Sequence, residues 1–346
     1  MAENNFEIDS SRQFVAWMAE QNISIGFSTY QSGKVFLLGH NDDQQLSVFE
    51  RTFDRPMGLW SDGQVLLLSS LFQIVRFKNS LKPGELTNEY DRLFIPQSIN
   101  ITGDLDVHDI AINKQGKVLF ANTLFSCLAS QSDDYSFNSA WRPPFISQLM
   151  PEDRCHLNGL AMDQGEARYM TAISDSNITD GWREHRSDGG IVLDLQSSEI
   201  ICEGLSMPHS PRVYNDLCWL ANSGTGEFGY IDPKSGQFEA IAFCPGYIRG
   251  VSIINGYALV GLSKPRHKTF QGLPLDDRLA KEKVEARCGI YVIDLKTGAT
   301  PHWLHISGVI SELYDVIVLP GCKRPSMIGF RNDQIRRTLS LNPNDL

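Results

Sequence analysis

Residues 106–122 read DVHDIAINKQGKVLFAN. Two short apolar runs flank the polar turn NKQGK, which is the pattern of two antiparallel strands joined tightly. The segment decides the fold because its first half recurs. RPMGLW (55–60), HLNGLAM (156–162), HSPRVY (209–214), YIRGVSI (247–253) and ELYDVIV (312–318) are variants of DVHDIAI (106–112). Anchored on Gly58, Asp109, Gly159, Arg212, Gly250 and Asp315, the copies are separated by 51, 50, 53, 38 and 65 residues, the differences between successive anchor numbers. A period near fifty is the length of one four-stranded propeller blade.

Working outward from each anchor gives the rest of the blade. A second apolar strand follows a polar turn in DQGEARYMTAI and NGYALVGL as it does in NKQGKVLFAN. A third and a fourth strand then pair across a short turn, as in FGYIDPKSGQFEAIAF (228–243), IYVIDLKTGATPHWL and the shorter GIVLDLQSSEIICEG (190–204). Residues 23–52 read as strands arriving before the first anchor, while ELYDVIVLPG and SMIGF follow the last. Strands from both termini then complete one blade, which removes open sheet edges. The reading is an all-β fold, a six-bladed β-propeller in one domain spanning 1–346. Residues 1–21 form an N-terminal helical extension, its helix at 9–20 (DSSRQFVAWMAE) capped by Ser.

Composition narrows the function classes. A net charge of -10 with mixed signs and no basic tract disfavours nucleic acid as a partner. The N-terminus lacks a basic start followed by an apolar run, and no stretch approaches the roughly 20 apolar residues of a membrane span. A cytoplasmic protein without membrane contact is expected. The seven cysteines are odd in number and contain no CxxC pair, so small buried hydrophobes are expected rather than disulfides or a zinc knuckle.

In a propeller the residues just before each anchor face one another around one mouth of the central channel. Here they include Met57, Asp106, His108, His156, Asn158, His209, Arg249, Glu312 and Tyr314, so three of the eight histidines fall on the ring. Because extended chain places alternate residues on one side, Asp106 with His108 and His156 with Asn158 are expected to point inward in pairs. His108, His156 and His209 are the expected ligands of a first-row metal, Fe, Zn or Cu, since imidazoles from three blades leave positions open for water or substrate. Calcium, which takes oxygen ligands, fits less well.

Arg212 and Arg249, with Lys264 and Arg266 in SKPRHK, form a candidate clamp for a small anionic molecule or peptide. The competing reading pairs the two arginines with Asp216 or Glu312. Asn222 is a further candidate contact for the substrate, and Glu312 and Tyr314 are candidates for proton transfer. The insertions 174–190 and 263–289 are expected to overhang this same mouth. NSGTGEFG (222–229) lies between two strands and lacks the helix of a phosphate loop, so a tight turn and no nucleotide cofactor are expected.

The words HLNGLAM, MPHSPRVYNDLCWLANSGTGE, GYIRGVSIINGYALVGLSKPRHKTFQGLPL and RCGIYVIDLKTG resemble a bacterial family of conserved proteins of unknown function, from about Phe27 onward. The resemblance implies a propeller with a shared site and carries no activity. More loosely, the pattern is similar to the lactonase and strictosidine-synthase-like propellers, which implies calcium at the mouth. Histidines replace acidic and amide groups here. The expected function is a metal-dependent hydrolase or oxidoreductase acting on a small anion, with a non-catalytic binding propeller as the alternative.

Overall fold

The computed structural model describes residues 6–232, 234–265 and 272–341. Six sheets are arranged as the blades of a β-propeller. All six anchor segments are inner strands: Leu59–Ser61, Val107–Ile112, Leu157–Asp163, Pro208–Tyr214, Tyr247–Ile254 and Asp315–Pro320 for blades 1 to 6. Blades 2, 3 and 4 are antiparallel meanders of four consecutive strands. The predicted hairpins pair as read, with Ile231 opposite Phe238 and Val292 opposite His302.

Blade 6 closes the ring. Its inner strand, Asp315–Pro320, comes from the C-terminal part of the chain and pairs with Ile23–Thr29, beyond which lie Lys34–His40 and Leu46–Thr52. Two short strands outside this scheme correct the sequence reading. Pro325–Met327, the SMIGF region, leaves the closing blade and adds in parallel to the outer edge of blade 1. Phe6–Ser10 adds to the outer edge of blade 5 against His302–Gly308. The predicted helix is accordingly shorter, Phe14–Glu20, and it begins after Gln13 without a side-chain cap, so the expected Ser cap is not formed. It is held by packing instead, with Phe14, Trp17 and Met18 buried against blades 5 and 6.

The hydrophobic core is divided among the six blade interfaces. Phe36 and Val316 of blade 6 meet Ile290 of blade 5, while Leu37 and Ile317 meet Leu66 of blade 1. Leu67 packs with Phe120, Leu119 with Met170, Val192 with Leu220, and Phe228 with Val260 at the remaining interfaces. Alternate residues of one strand thus serve different neighbours. A blade buried on both faces needs apolar residues at successive positions, which explains runs such as VFLLG and ALVGL. All seven cysteines are buried and free, as expected.

Hydroxyl hydrogen bonds fasten five of these interfaces at the end of each second strand. Ser28 donates to Met57 O (2.5 Å), Ser69 to Val107 O (3.0 Å), Thr123 to Leu157 O (2.6 Å), Ser223 to Ile248 O (2.5 Å) and Ser263 to Leu313 O (3.0 Å). Each acceptor belongs to the entry of the next blade's inner strand. The clasps therefore fix the residues that surround the channel mouth.

Candidate functional site at the channel mouth

The inner strands lose regular pairing where they meet the mouth. In blade 2 His108 and Asp109 stand opposite Ala121 alone; in blade 3 Asn158 is an extra residue between Leu157 and Gly159. In blade 4 Ser210 and Pro211 oppose Leu220, and in blade 5 Arg249 and Gly250 oppose Gly261. Such bulges re-aim side chains out of the alternating pattern. His108, Asp109, Asn158, Ser210 and Arg249 then line one small pocket with His209, Tyr314 and Asp315. Gly250 is required for this course, since its φ is +72° and a Cβ would lie 2.4 Å from Val316 N.

Four non-glycine residues at the same end are left-handed. Asp106, Asp153, His156 and Ser210 have φ values of 53°, 42°, 51° and 51°. A non-glycine residue in this region costs about 1–3 kcal/mol, and such cost collects at functional sites. Asp106 and His156 are left-handed rather than extended, so strand alternation is not what aims them, yet Asp106 does reach the mouth with His108, its Oδ2 3.7 Å from His108 Nδ1.

The three histidines do come together. The rings of His108 and His156 lie edge to face at 4.8 Å, and those of His108 and His209 are parallel at 6.1 Å. All three are buried. His108 Nδ1 is 2.9 Å from Asp106 O and 2.8 Å from Thr123 Oγ1, whose own hydrogen goes to Leu157 O. Both neighbours accept, so Nδ1 carries the hydrogen and Nε2 the lone pair. Burial pushes the His108 imidazole down to about 4 against the pull of Asp106, with His156 and Arg249 lowering it further. It is a neutral ring.

His156 Nδ1 donates to Asp153 Oδ2 at 2.8 Å, and Trp182 Nε1 donates to the same oxygen at 2.9 Å. Asp153 Oδ1 is buried and has no hydrogen-bond partner among the described residues. Asn158 turns its amide nitrogen to His209 Nε2 at 3.5 Å while Thr171 donates to its oxygen at 2.7 Å. Among the described residues, no group of three or more His, Cys, Asp or Glu side chains converges on a point suited to a metal ion.

The other expected site residues divide. Tyr314 lies at the mouth, 5.5 Å from the His108 ring, and the Arg249 guanidinium sits 5.2 Å from the Tyr314 ring centre. Arg212 is different. Its guanidinium crosses the channel to Asp109 Oδ2 (2.8 Å), Leu160 O (3.1 Å), Pro211 O (2.8 Å) and Val251 O (2.8 Å), with Asp315 Oδ1 at 4.0 Å. It pairs with Asp109 and Asp315, rather than with Asp216 or Glu312, and braces blades 2 to 6 instead of offering a clamp. Burial works against its charge and the two aspartates outweigh that.

Asp109 and Asp315 are spent on structure in the same way. Asp109 also accepts from Ile110 N and Leu160 N, and Asp315 from Val316 N and Leu59 N. This layer separates the histidine mouth from a cavity of about 230 Å³ on the far side, lined by Trp60, Met162, Tyr214 and Val318.

Glu312 is buried and accepts from Gln31 N at 2.7 Å, a brace on a loop of blade 6. Asn222 accepts from Ser206 N at 2.7 Å and holds a turn, and NSGTGEFG is the tight turn expected. Lys264 is exposed and lines a separate cavity at the outer part of blade 5. Arg266 lies outside the described residues.

Both insertions contribute to the mouth's cover. The first carries a short turn of helix, Gly181–His185, whose Trp182 ring lies 4.2 Å from that of His156. The second carries the helix Pro274–Glu282, whose Leu275 and Leu279 pack in one cluster with Trp182, Ile173 and Met207. Tyr247 donates to Asp276 at 2.8 Å and Arg278 to Glu227 at 2.8 Å, tying that helix to blades 4 and 5. Sequence reading located both insertions but missed Asp153 and Trp182. The spacing DRCH carries no signal for a pair formed by left-handed residues.

Among the described residues, no helix is long and apolar enough to cross a membrane. No curated protein matches the sequence. Among solved structures, the nidogen/laminin complex contains a chain that superposes with a TM-score of 0.56 at 11% identity, covering 86% of this chain and 99% of that one. Virginiamycin B lyase from Staphylococcus aureus, in a catalytically inactive form with quinupristin, gives a TM-score of 0.41 at 11% identity, covering 88% of this chain and 100% of that one. The first likeness supports the propeller fold and nothing finer. Residues 12–328 match a family model described as a domain of unknown function, and the chain is a member of that family, DUF4915.

Proposed function

We propose that the histidine mouth is the active site of an enzyme that acts on a small anionic substrate by imidazole acid–base chemistry. The observation that carries this reading is the Asp153–His156 hydrogen bond of 2.8 Å beneath Trp182. A carboxylate on Nδ1 fixes the tautomer and leaves Nε2 to take a proton, the division of labour found in catalytic His–Asp pairs. Neutral His108 beside it adds a second lone pair at Nε2. Arg249 supplies the positive charge for an anion in the small pocket it lines with His108, His209 and Tyr314, next to the His156 ring that packs on His108. The mouth pocket holds only about 10 Å³. Substrate entry therefore requires the mouth to open, and Trp182, whose ring lies 4.2 Å from that of His156, is the candidate cover over that histidine.

The test is a screen of carboxylate and phosphate esters, lactones and hydroxy acids for turnover, followed by variants. Asp153→Asn is expected to lower kcat by about 100-fold or more with little change in KM, because it removes the tautomer control while leaving the pocket's shape. His156→Asn should do the same. Turnover that survives His156→Asn would sink the reading.

A second reading is favoured by one specific observation. Both His108 and His156 have Nδ1 occupied as donors, which is how metal-binding imidazoles are held with Nε2 outward. A first-row ion, Fe, Zn or Cu, bound by these two and His209 would activate water or oxygen. Metal analysis of tag-free protein decides between the two. One stoichiometric ion that is lost in a His156→Ala, His209→Ala double variant supports metal chemistry, whereas metal-free protein with full activity supports the acid–base reading.

A further inference from the structure

A cavity of about 470 Å³ opens at the outer part of blade 5, away from the histidine pocket. It is lined by Lys264, Lys283, Glu285, Arg287 and His305, over apolar walls that include Val284 and Ile306. Three permanent cations and one imidazole thus face a single carboxylate, in a chain whose net charge is -10. The four basic groups come from four different places. Lys264 follows the second strand, Tyr257–Ser263; Lys283 ends the helix Pro274–Glu282; Arg287 precedes the third strand, Gly289–Asp294; and His305 stands on the outer strand, His302–Gly308.

Several features hold the cavity in shape. The His305 ring is stacked on Trp303 with centroids 4.2 Å apart and planes at 18°. Arg287 Nη1 lies 3.2 Å from His305 Nε2, a contact in which the guanidinium donates. The main chain of Arg287 is fixed by its N–H to Pro245 O at 2.8 Å, and Lys264 by its N–H to Ser311 O at 2.8 Å. The helix end that meets the cavity is capped, Lys283 N to Ala280 O and Val284 N to Leu279 O, so those two carbonyls are already satisfied. Among the described residues, no carboxylate forms an ion pair with Lys264, Lys283 or Arg287. Like charges brought together without such pairing repel one another, and a multiply charged anion relieves that repulsion.

We propose that this cavity is a second ligand site, separate from the histidine mouth, and that it takes the phosphate group of a small phosphorylated molecule. The guanidinium matches phosphate oxygens in pairs, the two lysines supply point charges from the sides, and the His305 ring, backed by Trp303, lines the space left for the rest of the ligand. This inference does not depend on the reading of the mouth.

Inorganic phosphate is the probe. Isothermal titration of the full chain, with ionic strength held constant by sodium chloride, is expected to show one saturable site. Lys264→Gln with Arg287→Gln should weaken binding at least tenfold, and Lys283→Gln alone, at an exposed position that no fold contact needs, should weaken it severalfold. Arg287→Lys is expected to retain part of the affinity. His156→Asn and Arg249→Gln should leave phosphate binding unchanged, which separates failure of this site from failure of the mouth. Absence of saturable binding overturns the proposal, and so does binding that persists in the Lys264→Gln, Arg287→Gln variant or that Arg249→Gln abolishes.

Discussion

At the scale of single residues, Asp315 shows how the channel is filled. It is buried with Asp109 around one guanidinium, so burial first, and then the neighbouring Asp109 charge, push its carboxyl up to about 7 despite Arg212 and two backbone donors. In the unfolded chain an aspartate titrates near 3.9. Between these values the folded state holds a proton that the unfolded state has released, so stability falls as pH rises from about 4 to about 7. Asp315→Asn is expected to flatten that slope, as read from urea unfolding midpoints at pH 5 and pH 8. Arg212→Met leaves two buried carboxylates without their cation and is expected to cost about 3–5 kcal/mol, a loss that Asp315→Asn in the same chain should partly restore. These residues were visible in the sequence as members of the repeat. Their partnership was not, because Arg212 and Asp109 stand 103 positions apart and meet only when the ring closes.

At the scale of elements, the inner strands and the two insertions do different work. Period-two patterning and turn residues were enough to find every inner strand, but they assume regular pairing. The bulges at His108, Asn158, Ser210 and Arg249 break that assumption at the mouth, so Asp106 and His108 face it together through a left-handed residue and a bulge rather than through strand alternation. The insertion carrying Trp182 meets His156 through that ring and Asp153 through its hydrogen bond, and it is also held by Asp180 N to Glu152 O (3.0 Å), by Arg154 donating to Asn177 Oδ1 (2.8 Å) and by Ser206 donating to Arg186 O (3.1 Å). Trp182→Ala is expected to reduce stability by about 3 kcal/mol through the lost packing, and to make 174–190 the first region cut in limited proteolysis. If cleavage there is no faster than in the parent, the ring is not what holds the cover.

At the scale of the whole molecule, six interblade cores joined in a ring predict a single cooperative unfolding transition whose weak point is the closing blade. Val316, fully buried on the inner strand of blade 6, is paired with Phe27 from the other end of the chain. Val316→Asp is expected to cost more than about 4 kcal/mol, whereas Val48→Asp on the exposed outer strand of the same blade should change stability by no more than about 0.5 kcal/mol. Equal effects in a denaturant titration would show that closure is not limiting. The all-β class, the number of blades, the closure by strands from both ends and the mouth at which three histidines meet were all legible in the order of amino acids. Each of these follows from local patterning repeated at a spacing near fifty, and repetition is readable along a chain even when loops vary in length. It took the folded ring to show that Arg212 braces the channel rather than clamping a ligand, that Asp153 and Trp182 hold His156, and that Lys264 belongs to another cavity. Those outcomes depend on left-handed residues, bulged register and side chains brought together from different blades, and no pattern local to one blade encodes which of its polar groups will be spent on its neighbours.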